Sequence, residues 1–158
     1  VTLKQLRDML ELREILEVAA VERAAGRITE EQVEELERVH AGYVGDDDVS
    51  RERYVTENRR FHTLIARASG NQELADTLGR LHDCLARFFV FVHTGQEMET
   101  RHKRLIEALR IQDVEVARQT ILDEVNETRE ITLEHVIQEG GAAWYLGALD
   151  QDGRHTGE

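Results

Sequence analysis

A chain of 158 residues, 41% hydrophobic and 33% charged, is long enough for one domain with a real core and too apolar for a disordered segment. Its net charge of −12 opposes phosphate backbones and anionic membrane surfaces, so this segment is not expected to bind nucleic acid by itself or to sit on a membrane. The absence of proline and the few aromatic residues disfavour a β-sandwich or an α/β fold, and recurring Leu, Ile and Ala at helical spacing point to an all-α chain.

Six helices are predicted in chain order. The first spans about Thr2 to Ala25, opening on Thr2 and Gln5 at capping-box spacing and stopping at Gly26. Thr29 and Gln32 repeat that box and open a second helix to about His40. Gly42 to Asp48 reads as a loop, with Asp46, Asp47 and Asp48 in a solvated turn. A third helix runs from about Ser50 to Ser69. Asn71 caps a fourth, which reaches about His93 before Thr94-Gly95 breaks it. The fifth covers about Gln96 to Ile111. Asp113 caps the sixth, which is expected to end near Gln138 at Gly140-Gly141. Short connections predict that consecutive helices are antiparallel neighbours. The expected organisation is one helical domain over residues 1–138 and a loosely structured tail over 139–158.

The longest apolar run, Phe88 to Val92, is too short to span a bilayer, and VTLKQLRDML has no signal-peptide pattern. The expected compartment is therefore cytoplasmic. The single cysteine, Cys84, reads as a small buried hydrophobe.

Three predicted core faces carry polar residues. Asn58, His62 and Ile65 share one face of the third helix. Met98, His102, Leu105 and Leu109 share one of the fifth. Val114, Ala117, Ile121, Glu124, Thr128, Ile131 and His135 form a stripe on the sixth. A buried carboxylate is costly unless it is paired or ligates a metal. The other reading of that stripe is a groove in which Glu124 is wet, and periodicity does not separate the two. Two imidazoles, an amide and a carboxylate on three helices form a set that suits a divalent metal.

Arg13 lies one position from the Leu12, Ile15, Leu16 and Ala19 band of the first helix. It is either a two-pronged partner for a carboxylate ligand or an exposed residue pairing with Glu17. His82 and Arg87 either line a cavity or face solvent. His40, His93 and His155 read as surface residues. No phosphate loop, paired-cysteine zinc motif or nucleophile elbow is present.

The strings N-x-x-F-H-x-x-I-A-R-A-S-G-N from Asn58 and H-x-x-L-I-E-A-L-x-x-x-D-x-x-x-A from His102, with E-L-R-E-I-L-E-V-A-A around Arg13, resemble the C-terminal effector domain (FCD) of FadR-subfamily GntR transcription regulators. The resemblance covers about Leu3 to Ile137. It implies an all-α antiparallel bundle of about six helices, like the FadR C-terminal domain. It also implies a homodimer that senses a small effector, often an organic acid. Many members of that family hold a divalent metal through an Asp and three His. By position these fall on Asn58, His62, His102 and Glu124, so two of the four are changed. The carboxylate has moved rather than vanished, and the formal charge of the set stays at −1. Oxygen ligands gain at nitrogen's expense, which shifts preference from Zn or Ni towards Mn or Mg.

The expected effector contacts are Arg13, His82, Arg87 and Thr128. The family's N-terminal winged helix-turn-helix is expected to be absent from this chain, so DNA would be reached only through that missing domain. No enzymatic activity is expected. Within the sensor reading, the rival to a metal is a metal-free pocket whose polar groups bind the effector directly. The alternatives to a sensor are a metal-dependent helical enzyme of the 2-His-1-carboxylate type, and a metal-free helical interaction module with Asn58, His62, His102 and Glu124 in a structural hydrogen-bond network.

Overall fold

The computed structural model describes residues 1–40, 47–90 and 95–151, the side chains of 95–97 and 139–151 excepted. Its elements are α1 (Leu3–Ala24), α2 (Glu30–His40), α3 (Asp48–Ala68), α4 (Gln72–Phe89), α5 (Gly95–Arg110) and α6 (Val114–Gln151). The described residues form an all-α bundle with no strand.

Local chemistry explains most of the boundaries. Thr2 and Gln5 form the expected capping box at the start of α1. Thr29 and Gln32 exchange the same pair of hydrogen bonds, at 3.0 and 3.2 Å. Asp113 accepts from the Val116 amide at 3.1 Å and so opens α6. Between α3 and α4 the chain turns within three residues. Ser69 is the C-cap of α3, Gly70 takes a left-handed φ of 81°, and the Asn71 side chain accepts from the Leu74 amide at 3.0 Å. Arg27 reaches across from the α1–α2 connection and donates to the Ser69 carbonyl at 3.2 Å, tying this corner down.

Three expectations are corrected. The acidic run before α3 is more than a solvated turn: Asp47 caps the helix by accepting from Ser50 N at 2.7 Å, so α3 begins at Asp48. Helix α4 closes at Phe89 with Val90 as its C-cap; residues 91–94, where the break was placed, lie outside the described residues, as does most of the expected loop before Asp48. Helix α6 does not stop at Gly140-Gly141 but continues to Gln151. Two glycines cost roughly 1 kcal/mol each relative to alanine. The following Ala, Leu, Trp and Tyr residues carry no cap or proline to enforce a stop.

Helices α2 and α3, α3 and α4, and α5 and α6 pack on each other as neighbours in sequence. Among the described residues α1 does not pack extensively on α2, nor α4 on α5, contrary to the expectation from short connections. Instead α1 packs on α6, α3 and α4.

Apolar residues gather in two clusters. The larger takes in Ala20 and Val21 of α1, Val33 and Leu36 of α2, Phe61 and Ile65 of α3, Leu74 and Leu78 of α4, Leu105 and Leu109 of α5, and Ala117, Ile121 and Val125 of α6. The smaller joins Leu6 and Leu10 of α1, Leu81, Leu85, Phe88 and Phe89 of α4, and Val136 of α6. Along α1 the residues between the two clusters are Arg13 and Glu17; along α6 they are Thr128 and Thr132. A polar zone separates two apolar ones.

Gly70→Ala should destabilise the fold by about 1–2 kcal/mol, because a Cβ is strained at positive φ and would meet Arg27 Nη1 at 2.7 Å. Gly26 has no such φ, and a Cβ there would meet only the Arg23 carbonyl oxygen at an ordinary 3.9 Å, so Gly26→Ala should stay within about 0.5 kcal/mol of wild type. Urea unfolding of both variants checks the contrast; equal effects would contradict it.

Candidate functional site

The polar zone is built around His62. It projects from α3 into the bundle with both ring nitrogens facing carboxylates. Nδ1 lies 2.5 Å from Glu17 Oε2 of α1, and Nε2 lies 3.2 Å from Glu124 Oε1 of α6. Glu124 Oε1 is also 3.0 Å from His102 Nε2 of α5. Glu17 Oε1 is 3.3 Å from His82 Nε2 of α4, and its Oε2 is 3.9 Å from Arg13 Nη2 one turn earlier on α1. Five helices therefore each contribute at least one member. All six side chains are only 1–2% exposed.

Ring packing holds these groups in place. Phe61 stacks on His102 with centroids 4.0 Å apart, and His62 stacks on His82 at 5.3 Å. The Arg13 guanidinium sits 4.8 Å from the centroid of the Phe89 ring, which lends its π face to a cation far from water.

Burial disfavours every charge here, and opposite charges at short range override it selectively. Burial pushes the His62 imidazolium towards neutrality, but Glu17 and Glu124 together raise its pKa to about 9. His82 is different. Burial dominates, its contact with Glu17 compensates only in part, and nearby Arg13 and His62 oppose a further cation, so its pKa falls to about 4. Burial raises Glu17, yet His62, His82 and Arg13 outweigh it and hold the carboxyl well below the ordinary range. Burial raises Glu124 likewise, and His62 and His102 bring it well below. The Arg13 and His62 cations thus face the Glu17 and Glu124 anions.

The expected ligand set Asn58, His62, His102 and Glu124 is buried throughout. The donor atoms of His62, His102 and Glu124 lie within 4.8 Å of one another, close enough to hold one ion. Asn58 lies one turn before His62, 3% exposed, and its Oδ1 has no hydrogen-bond partner. A buried amide oxygen left unpaired is costly, and a cation or a donor group would satisfy it. The residues present fit a divalent metal.

Of the expected effector contacts, Arg13 and Thr128 are buried and carry unpartnered atoms: Nε and Nη1 of Arg13, and Oγ1 of Thr128 one turn beyond Glu124. His82 faces inward against Glu17. Arg87 is not brought to the site; it is exposed and lies over the Phe88 ring. The position of Arg13 also corrects the reading of α1. Leu12 and Ile15 are 41% and 58% exposed, and the buried face is Leu6, Leu10, Arg13, Glu17 and Ala20.

Glu17 is the residue that sequence reasoning missed as a site member. The available signal was its place in that stripe, spaced by three and four residues. Three further readings are corrected. His40 is buried, with its ring 6.0 Å from that of His102, because it ends α2 where α2 packs on α5. Cys84 is exposed, on the side of α4 away from Leu81, His82 and Leu85. On α6 the buried column beyond Thr128 passes through Thr132 and Val136 rather than Ile131 and His135, and Val114 is 40% exposed. His93 and His155 lie outside the described residues.

The family model described as the FCD domain matches residues 8–126. The chain belongs to the FCD domain family. The matched span contains all six members of the zone, Asn58 included with its ligand set. A curated relative, an uncharacterized HTH-type transcriptional regulator YdhC of Bacillus subtilis (strain 168), is 27% identical over 150 residues. That match covers 88% of this chain and 64% of the relative, so this FCD chain spans less than two thirds of the relative's length. The solved structure of E. coli McbR/YncC superposes with a TM-score of 0.70 at 19% identity, over 85% of this chain and 67% of that one, and shares the fold.

The titrations of this FCD domain set its stability profile. His62 is raised from 6.5 to about 9, so its contribution is complete below pH 6.5 and is lost as pH climbs through 9. His82 is lowered from 6.5 to about 4, so its contribution is complete above pH 6.5 and is lost as pH falls through 4. Melting temperature in the presence of a chelator should therefore peak between about pH 6 and 7. His82→Gln should flatten the first part of the acid limb and His62→Gln the alkaline limb. A profile unchanged by either substitution would contradict these assignments.

Proposed function

We propose that the chain is the ligand-sensing and dimerisation part of a GntR/FadR-type transcription regulator, acting in the cytoplasm as a homodimer. Residues 1–138 would form that unit and 139–158 its tail. DNA would be contacted through a winged helix-turn-helix domain outside this sequence. The FCD family and the curated relative are transcription regulators. The 2-His-1-carboxylate enzyme reading gives way to that membership, and no reaction is assigned.

One observation carries the reading. Unpartnered buried atoms of Arg13, Asn58 and Thr128 sit on α1, α3 and α6, each one turn from Glu17, His62 or Glu124. Tyr54, one further turn along α3, is within electrostatic reach of both Glu124 and Arg13. Unsatisfied polar groups in such a place are costly, and a guanidinium is the most costly of them. A small organic acid would restore their bonds, with its carboxylate on the Arg13 fork and its hydroxyl or carbonyl groups on Thr128 and Asn58.

A divalent ion held by His62, His102 and Glu124, with Asn58 as oxygen donor, would add a Lewis-acidic anchor for the same acid. Asn58 and Glu124 tilt that set towards Mn or Mg and away from Zn or Ni. Binding would favour one arrangement of the dimer and so alter the spacing of the DNA-binding domains.

A metal-free version has its own support. The His62 imidazolium joins Glu17 to Glu124 and Arg13 faces Glu17 without any metal, so the effector can bind the polar groups directly. Elemental analysis and metal titration separate the two: the metal version predicts about one equivalent of divalent ion per chain, bound more weakly in Glu124→Ala. No metal in the wild type, and unchanged ion binding in Glu124→Ala, would leave the metal-free version. In the full-length regulator, operator DNA should change effector affinity by the same factor as effector changes operator affinity. Independence of the two would refute the sensing role.

A further inference from the structure

We propose that the chain holds a second divalent-metal position, formed by Glu17, His62 Nδ1 and His82, which shares His62 with the first and is mutually exclusive with it. The proposal extends the metal version of the function above.

The donor atoms of Glu17, His62 and His82 lie within 4.8 Å of one another, the same closeness as those of His62, His102 and Glu124. All three side chains are 1–2% exposed, which removes competing water. Two imidazoles and one carboxylate make a set that suits first-row divalent ions. Glu17 and His82 are outside the Asn58, His62, His102 and Glu124 set.

Exclusivity follows from the imidazole. A neutral ring has one lone pair, on one nitrogen, and a hydrogen on the other. An ion on Nε2, with His102 and Glu124, leaves Nδ1–H to donate to Glu17. An ion on Nδ1, with His82 and Glu17, leaves Nε2–H to donate to Glu124. In each case the carboxylate of the vacated position orients the shared ring, as outer-shell carboxylates do for metal-bound histidines. In either case the ion replaces one ring proton, which leaves to solvent.

The two positions differ in strength. Arg13 lies 3.9 Å from Glu17 and repels a cation placed there, whereas among the described residues no Arg or Lys pairs with Glu124. The first position is therefore the stronger, and the second fills when the first is disabled. An anion on the free atoms of Arg13 would narrow the gap.

Co2+ titration of the 158-residue chain, read by calorimetry and visible absorption, tests this. Wild type should bind one equivalent. His102→Gln should keep one equivalent, bound more weakly and with a shifted d–d spectrum, through the second position. His82→Gln should keep one equivalent with the wild-type spectrum. The double variant His82→Gln/His102→Gln, and His62→Gln, should bind none. Co2+ binding lost in His102→Gln but kept in His82→Gln would overturn the second position and leave the first intact. The reverse would overturn the first and leave the second. Two equivalents on wild type would overturn exclusivity. Glu124→Gln repeats the isolation of the second position in a near-isosteric background should His102→Gln not fold.

Discussion

One imidazole holds two carboxylates inside this bundle, and the arrangement of the helices follows from it. His62 on α3 faces Glu17 on α1 at one nitrogen and Glu124 on α6 at the other. The same carboxylates reach His82 on α4 and His102 on α5. Remove the ring and two buried anions lose the cation that joins them. Buried ion pairs of this kind often give way without loss of stability to apolar side chains of similar size, and removing one partner is costly. A fold that needed only stability would have Leu or Ile at these positions, as α5 has at Leu105 and Ile106. The proposed binding role supplies the reason for a polar zone here.

The zone is held rigid by its surroundings. One apolar cluster closes it on the side of Phe61, Leu105 and Ile121, and a second closes it on the side of Leu10, Leu85 and Phe89. Aromatic rings reach in from both, with Phe61 on His102 and Phe89 beneath Arg13. Low local dielectric strengthens each ion contact and makes each unpaired atom expensive. In the proposed mechanism the unsatisfied atoms on α1, α3 and α6 would let a group that bonds all three pull on three helices at once and so favour one conformation.

Much of the architecture was legible in the sequence because helix ends have local chemistry. The boxes at Thr2 and Thr29, and the caps at Asn71 and Asp113, depend only on residues within three positions. The ligand candidates His62, His102 and Glu124 were legible because each interrupts an apolar stripe. Glu17 was not, because an Arg and a Glu four apart look alike whether the face is wet or dry, and Leu12 and Ile15 drew the apolar band to the exposed side of α1. Packing partners decide such cases, and α1 turned out to pack on α6, α3 and α4 rather than on α2. Arg87 failed for a related reason: His82 and Arg87 are five residues apart on α4, and that spacing turns one of them outward.

The most direct test of the claim that this zone is a binding site is an anomalous difference map from crystals of the 158-residue chain grown with Mn2+. The account predicts a peak beside a ring nitrogen of His62, with Glu124 or Glu17 as its carboxylate ligand. An interior without a peak, in which His62 still joins Glu17 to Glu124 at full Mn2+ exposure, would contradict the metal and leave the metal-free version.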